Sequence, residues 1–333
     1  MEYLKVFLLY PLYDYDKGKV NLLKSILPFF IILHHLTNYP GLEILKWIGV
    51  PVMGIFFAMS GYGVVVSYLK NENYIKGFLY RDLPKLFIPY FIALFLFIVY
   101  RHFEGIDQIS LLKNGGGAYF ISNLFSFVPT SWFIFVLALH YVFFFIVFRY
   151  VKLNVAFKIL VVFCLVMVYY FIAPYINLHY GRYSACPGFC VGMLFAAYDN
   201  IIKKKLVRWH VIACLAFLLI LIELPFGHRL DFFYYPSVVF LTMYVLRPYG
   251  MITNSWLVRF LSSISLEMFL IQYLPIWFVT SHIICENTRF SSTLIVVALV
   301  FLMDVLLAFI VHQLVKIIKS ILFGQRSKKC LVV

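Results

Sequence analysis

Apolar residues run along this chain in long stretches separated by short polar segments, rather than alternating with polar ones. About 20 consecutive apolar residues cross a bilayer as an α-helix, with a range near 17 to 25. Such runs lie at 22–39, 48–69, 83–100, 132–150, 155–176, 183–199, 209–225, 232–247, 256–280 and 293–318. They predict an all-α fold: a polytopic membrane helix bundle of about ten transmembrane helices. The runs at 183 and 232 are the weakest, because Pro and Gly interrupt or shorten them. The stretch 111–131 is moderately apolar, but Gly115-Gly116-Gly117 and Pro129 favour a loop or re-entrant piece. The expected organisation is an N-terminal arm over 1–21, a membrane domain over 22–318 and a basic tail over 319–333. The longest stretch outside the membrane, near 101–131, is too short to bury a core of its own.

Charge sets the orientation. Of the 28 Lys and Arg, 22 fall on one side of the ten-span arrangement; the other side holds Lys46, Arg101, Lys113, Arg182, Arg229 and Arg289. Basic loops stay in the cytoplasm, so both termini are expected there. Composition agrees with the membrane reading: 64% of the 333 residues are hydrophobic, 13% are charged, and mean hydropathy is +0.94. A soluble globule is about half apolar and a quarter charged, so lipid must form part of the solvent. A cytosolic enzyme, a secreted disulfide scaffold and a disordered chain are all excluded. The net charge of +14 sits in short clusters between apolar runs, which fits topology and argues against a nucleic-acid partner. The six cysteines show no CxxC and no Cys/His metal spacing, so no metal site is expected. Cys186 and Cys190 would share a helix face, as packing residues do. The apolar stretch Val6 to Leu12 is short and runs into Asp14 and Asp16, unlike a cleaved signal.

Polar residues at membrane depth carry the functional argument, because each is costly there. His35 lies eleven residues after Lys24, roughly 16 Å along a helix. Lys24 would sit at the cytoplasmic face, with His35 past the mid-plane. Imidazole at that depth can take a proton from a hydroxyl or attack an acyl group itself; the alternative is a histidine hydrogen-bonded to a neighbouring helix. In the second run, Gly54, Ala58, Gly61 and Gly63 would let another backbone approach closely. Arg81 and Lys85 share a helix face at the cytoplasmic mouth and can hold the phosphates of an anionic donor. Taken singly, each reads as a positive-inside anchor. Glu267 and Asp304 lie deep in the last two runs, with His34, His35 or Arg81 as candidate partners. Glu267 is the second candidate for a catalytic group, although an interhelical hydrogen bond that fixes packing is the preferred reading. His140 and His312 suit a structural role equally well. His102, His179, His228 and His282 fall near outer-side loops, where solvation is the simplest expectation.

A basic residue followed eleven positions later by His, then Phe56-Phe57-Ala58-Met59-Ser60-Gly61-Tyr62, then Arg81 opening a helix that continues into Ile88-Pro89-Tyr90, resembles the acyltransferase-3 family. Ser131-Trp132-Phe133-Ile134 and Ser263-Ile264-Ser265-Leu266-Glu267-Met268-Phe269-Leu270-Ile271 extend the resemblance over about residues 20–318. Two positions depart from it. The first basic residue is Lys24 where the family usually has Arg, which keeps charge but loses bidentate hydrogen bonding. Gln272 stands where the ninth-helix motif often ends in His. The resemblance implies an integral membrane acyltransferase of about ten helices in the bacterial inner membrane. Its donor would be acyl-CoA, acetyl-CoA above all, with no tightly bound cofactor, and its acceptor a hydroxyl of a cell-surface glycan or lipid-linked saccharide. His35 would be the base or a transient acyl carrier, and Lys24, Arg81 and Lys85 would meet the donor. Ser60, Tyr62, Trp132 and Gln272 would line the acyl path or the acceptor site. The competing class is a transporter or flippase for a lipid-linked saccharide. A non-catalytic scaffold would leave His35, Glu267 and Asp304 unexplained.

Overall fold

A computed structural model describes residues 17–105, 127–204, 255–282 and 290–329. Among them the regular structure is all helical: α1 (Lys17–His35), α2 (Gly49–Lys70), α3 (Phe78–Phe103), α4 (Ser131–Tyr150), α5 (Val155–Ile172), α6 (Pro187–Lys204), α7 (Trp256–Ser263), α8 (Ser265–Ile271), α9 (Tyr273–His282) and α10 (Phe290–Lys329). Short 3₁₀ turns at Glu43–Trp47, Glu72–Gly77 and Tyr180–Arg182 join some of them. Among the described residues, five stretches are long and apolar enough to cross a membrane: Leu45–Lys70, Glu72–Phe103, Ser131–Tyr150, Val155–Ile172 and Thr293–Phe323. The expected spans at 209–225 and 232–247 lie outside the described residues, as does most of 111–131.

Local chemistry sets the helix ends. The first span, expected to reach 39, stops at His35, where Asn38, Pro40 and Gly41 follow; Gly41 has φ of 86°, a conformation glycine adopts freely. Asn154 caps α5, its side chain accepting from the Phe157 N–H at 2.9 Å. The expected single span at 256–280 is three helices. Ile264 leaves helical geometry at φ −106° and ψ 5°. Near Gln272 the cause is Pro275, which has no N–H to offer the Ile271 carbonyl one turn back. At the other end α10 runs on as helix through the expected boundary at 318.

The described chain forms two compact units. The first takes 17–30, 47–80, 136–204 and 255–262. Its centre is the crossing of α2 and α6, where glycines put backbone against backbone. A Cβ added at Gly61 would run into the Phe189 carbonyl, one at Gly188 into Gly54, and one at Gly192 into Ala58. Gly54, Ala58 and Gly61 follow a spacing of four and three, so they share one face. Gly63 does not belong with them, contrary to expectation: two residues beyond Gly61 it points elsewhere, and a Cβ there would meet nothing within 4 Å. Two buried polar groups of this unit lie against aromatic rings. His140 is fully buried between Phe57 and Phe189, 5.2 and 5.1 Å from their ring centroids. Lys158 donates to the Tyr68 hydroxyl at 3.1 Å and lies over the Tyr68 and Phe148 rings.

The second unit takes 31–46, 81–105, 127–135, 263–282 and 290–329. Ile32 and Leu36 pack with Ile276, Val279, Val296 and Val300 into its core. Along α10 the buried positions Val296, Val300, Asp304, Ala308, Val311 and Val315 make one stripe, while Leu294, Leu302, Leu306, Ile310 and Ile317 are exposed. That pattern suits a helix with protein on one side and lipid on the other. A carboxylate, Asp304, sits in the middle of the buried stripe.

Candidate active site

His35 is the last residue of α1, so its side chain is fixed by a helix yet lies where the backbone opens. Its Nδ1 is 2.9 Å from the hydroxyl of Tyr273, the first residue of α9. The two rings are 4.6 Å apart, and the His34 ring lies 5.0 Å from that of His35. When Nδ1 carries the proton and donates it to the tyrosine oxygen, the Nε2 lone pair is left for a substrate. In the other tautomer the Tyr273 hydroxyl donates and Nε2 carries hydrogen. Either way one ring nitrogen is anchored. His34 is turned to another task, facing the backbone of Leu45 and Lys46.

The helix break places two more polar groups beside this pair. Gln272 is fully buried; its amide donates to the Phe269 carbonyl at 3.0 Å, while its side-chain oxygen has no partner among the described residues. One turn beyond Tyr273, Trp277 packs on it at 5.7 Å and lies under the guanidinium of Arg101, 5.5 Å from the indole centroid. At the end of α9, His282 meets Glu104 at 2.9 Å instead of being merely solvated, and holds its carboxyl below the usual carboxylate range. His179 likewise has a structural task, accepting from the Gly181 N–H at 3.2 Å in the turn after α5.

The two carboxylates at depth depart from expectation. Glu267 is engaged not by His34, His35 or Arg81 but by His312 of α10, whose Nδ1 is 2.8 Å away. That is the interhelical hydrogen bond of the packing reading. Asp304, fully buried, makes no hydrogen bond among the described residues, so it too lacks those expected partners.

At the start of α3, Arg81 and Lys85 share a carboxylate that the sequence reading left without a role. Asp82 accepts from Arg81 at 2.8 Å and from Lys85 at 2.5 Å. One buried anion therefore holds both cations on one face and reduces their joint charge to +1. Trp132 lies half-buried in the first turn of α4, where neighbouring Thr130 donates to the Leu270 carbonyl at 3.2 Å. Lys24, Ser60 and Tyr62 belong to the first unit. The Ser60 hydroxyl donates to the Phe56 carbonyl one turn back, 3.0 Å away, so its proton serves its own helix.

Tyr273, Trp277 and Asp82 are the neighbours that sequence reasoning missed. Tyr273 follows the ninth-helix motif directly, but one tyrosine among 25 in an apolar chain carries no signal until the fold shows what it touches. The acyltransferase-3 family model, an acyltransferase domain, matches residues 17–313, from the first turn of α1 to one residue past His312. No curated protein and no solved structure matches the chain. Since the matched region takes in His35, Tyr273, Arg81 and Glu267 alike, the chain belongs to the acyltransferase-3 family of integral membrane acyltransferases.

Proposed function

We propose that the protein transfers an acyl group, acetyl from acetyl-CoA, to a hydroxyl of a cell-surface glycan or lipid-linked saccharide. It does so in the bacterial inner membrane, with ten spans and both termini cytoplasmic. The observation that carries this reading is the His35–Tyr273 hydrogen bond, which anchors Nδ1 and, when Nδ1 is the donor, leaves Nε2 for a proton. In the reaction Nε2 takes the proton of the attacking hydroxyl. The new C–O bond forms as the thioester C–S bond breaks, and the proton passes to the departing CoA thiolate. A positioned base of this kind contributes about 10²–10⁴-fold. Arg81 and Lys85, tethered by Asp82, receive donor phosphates, with Lys24 further along the same helix as His35. Gln272 keeps a buried acceptor beside Tyr273, suited to a sugar hydroxyl.

The interruption of the 256–282 segment at Ile264 and Gln272 favours a second reading, since transporters build their sites on discontinuous helices. Membranes carrying the protein, given acetyl-CoA labelled in the acetyl group, distinguish the two. Label should appear on envelope glycan only when the protein is present. Saccharide that crosses the membrane without gaining label would replace acyl transfer with transport.

A further inference from the structure

In the ten-span arrangement expected from the sequence, Arg101 is among the six basic residues on the side away from the main positive clusters. It sits in the last turn of α3, half-buried, with its guanidinium 5.5 Å from the Trp277 ring centroid and 6.0 Å from that of Phe127. Both rings lie within cation–π reach of the guanidinium, whose N–H groups make no hydrogen bond or ion pair among the described residues. The nearest carboxylate in sequence, Glu104, is already engaged by His282 and Tyr100. A guanidinium packed beside aromatic rings, with its donors unspent among the described residues, is a receptor for a phosphate or carboxylate.

Two further features give that anion a shape. First, the cation is tied to the reacting group: Trp277 touches both Arg101 and Tyr273, and Tyr273 holds His35. Trp277 lies one helical turn, about 6 Å, beyond Tyr273. Second, an apolar groove of about 470 Å³ opens beside the same turn of α3, lined by Leu96, Tyr100 and Phe103, by Phe278 of α9, and by Met303 and Leu306 of α10. Tyr100 joins the two, since its ring lines the groove and stacks on Trp277 at 6.2 Å with the planes 29° apart. Cation, aromatic platform and groove therefore form one continuous surface ending at His35.

We infer that Arg101, Trp277 and this groove form a binding site for a lipid phosphate: the guanidinium takes the phosphate, and the groove takes the start of its apolar chain. Bulk lipid could fill the groove without Arg101, but a phosphate would then gain nothing over an uncharged headgroup. That this lipid carries the acyl acceptor rests on the acyl-transfer reading. The site itself is defined by binding.

The test uses the full-length protein in phosphatidylcholine nanodiscs, without acyl-CoA. Three probes are compared: geranylgeranyl monophosphate, geranylgeraniol and inorganic phosphate. The monophosphate should bind at least about tenfold more tightly than the alcohol, as charge-assisted hydrogen bonds imply. Arg101→Gln should erase that difference, and Arg101→Lys should retain part of it. Leu306→Trp, which fills the groove, should weaken both lipids alike. Equal binding of monophosphate and alcohol, or a difference that survives Arg101→Gln, would overturn the site. Inorganic phosphate binding as tightly as the lipid would overturn the groove's part in it. His35→Ala should bind the monophosphate as the wild type does, so loss of acyl transfer and loss of this site are read separately.

Discussion

The α2–α6 crossing and the α8–α9–α10 cluster are both buried helix contacts, yet they are built on opposite chemistry. At the first, Gly61, Gly188 and Gly192 bring backbones together with no side chain between them. At the second, Glu267 meets His312, Gln272 is half-satisfied and Asp304 has no partner among the described residues. In lipid there is no hydrophobic drive between helices, so close packing and hydrogen bonds must hold them. The glycine crossing takes the packing route, with His140 held between the Phe57 and Phe189 rings of its two helices. The polar cluster goes beyond its Glu267–His312 packing bond: it also desolvates Gln272 and Asp304, whose side-chain oxygens have no partner among the described residues, as a region kept for chemistry does.

That contrast breaks most visibly at Gly192. Gly192→Leu drives a side chain into the Ala58 backbone, which can yield only if the helices part. Overpacking commonly costs about 1–3 kcal/mol, and a backbone obstacle puts this case at the top of that range or above. Detergent-extracted protein should therefore aggregate in size-exclusion chromatography. Gly63→Leu, on the partner helix α2 but facing open space, should elute as the wild type does. Identical behaviour of the two variants would remove the distinction between packed and unpacked glycines.

Next in size is Tyr273→Phe. The ring stays and one hydrogen bond to His35 goes. A net loss of about 1 kcal/mol in positioning corresponds to roughly a fivefold fall in kcat at constant donor KM. An unchanged kcat would make the tyrosine a packing residue. Smaller again is His312→Leu, which strips Glu267 of its partner. Interhelical hydrogen bonds in membranes average about 0.6 kcal/mol and reach about 1.7, so Tm should drop while acyl transfer per folded molecule stays within about twofold. A loss of activity beyond a hundredfold would give Glu267 the catalytic role for which its depth in the membrane makes it a candidate. The smallest effect belongs to Ser60→Ala. Its hydroxyl serves the Phe56 carbonyl, so acyl transfer should not change measurably; a clear fall would return Ser60 to the acyl path.

Much of this division can be read in the residues before any fold is known. The small-residue stripe of α2 is visible as a spacing of four and three, and His35 stands out as an ionisable group in an apolar run. The family motifs place Arg81 and Glu267 as well. What the sequence does not disclose are pairings made across the fold. Tyr273 is 238 residues from His35 and His312 is 45 from Glu267, and neither separation leaves a periodic trace. Grouping Gly63 with Gly54, Ala58 and Gly61 overlooks its place two residues past Gly61, on another face of the helix. The break near Gln272 was masked for a different reason: averaging hydropathy over 256–280 conceals the missing N–H of Pro275, although the proline itself is in plain view.

The central claim, that His35 is the base of an acyl transfer, is tested most directly by comparing His35→Ala with His34→Ala at equal expression. Both remove an imidazole from the end of α1, so damage to the helix is common to them. Only His35 is anchored by Tyr273, whereas His34 faces the Leu45–Lys46 backbone. Transfer of label from acetyl-CoA to glycan should fall by about 10²–10⁴-fold in His35→Ala and by less than about tenfold in His34→Ala. Wild-type transfer by His35→Ala, or equal losses in the two variants, would contradict the account.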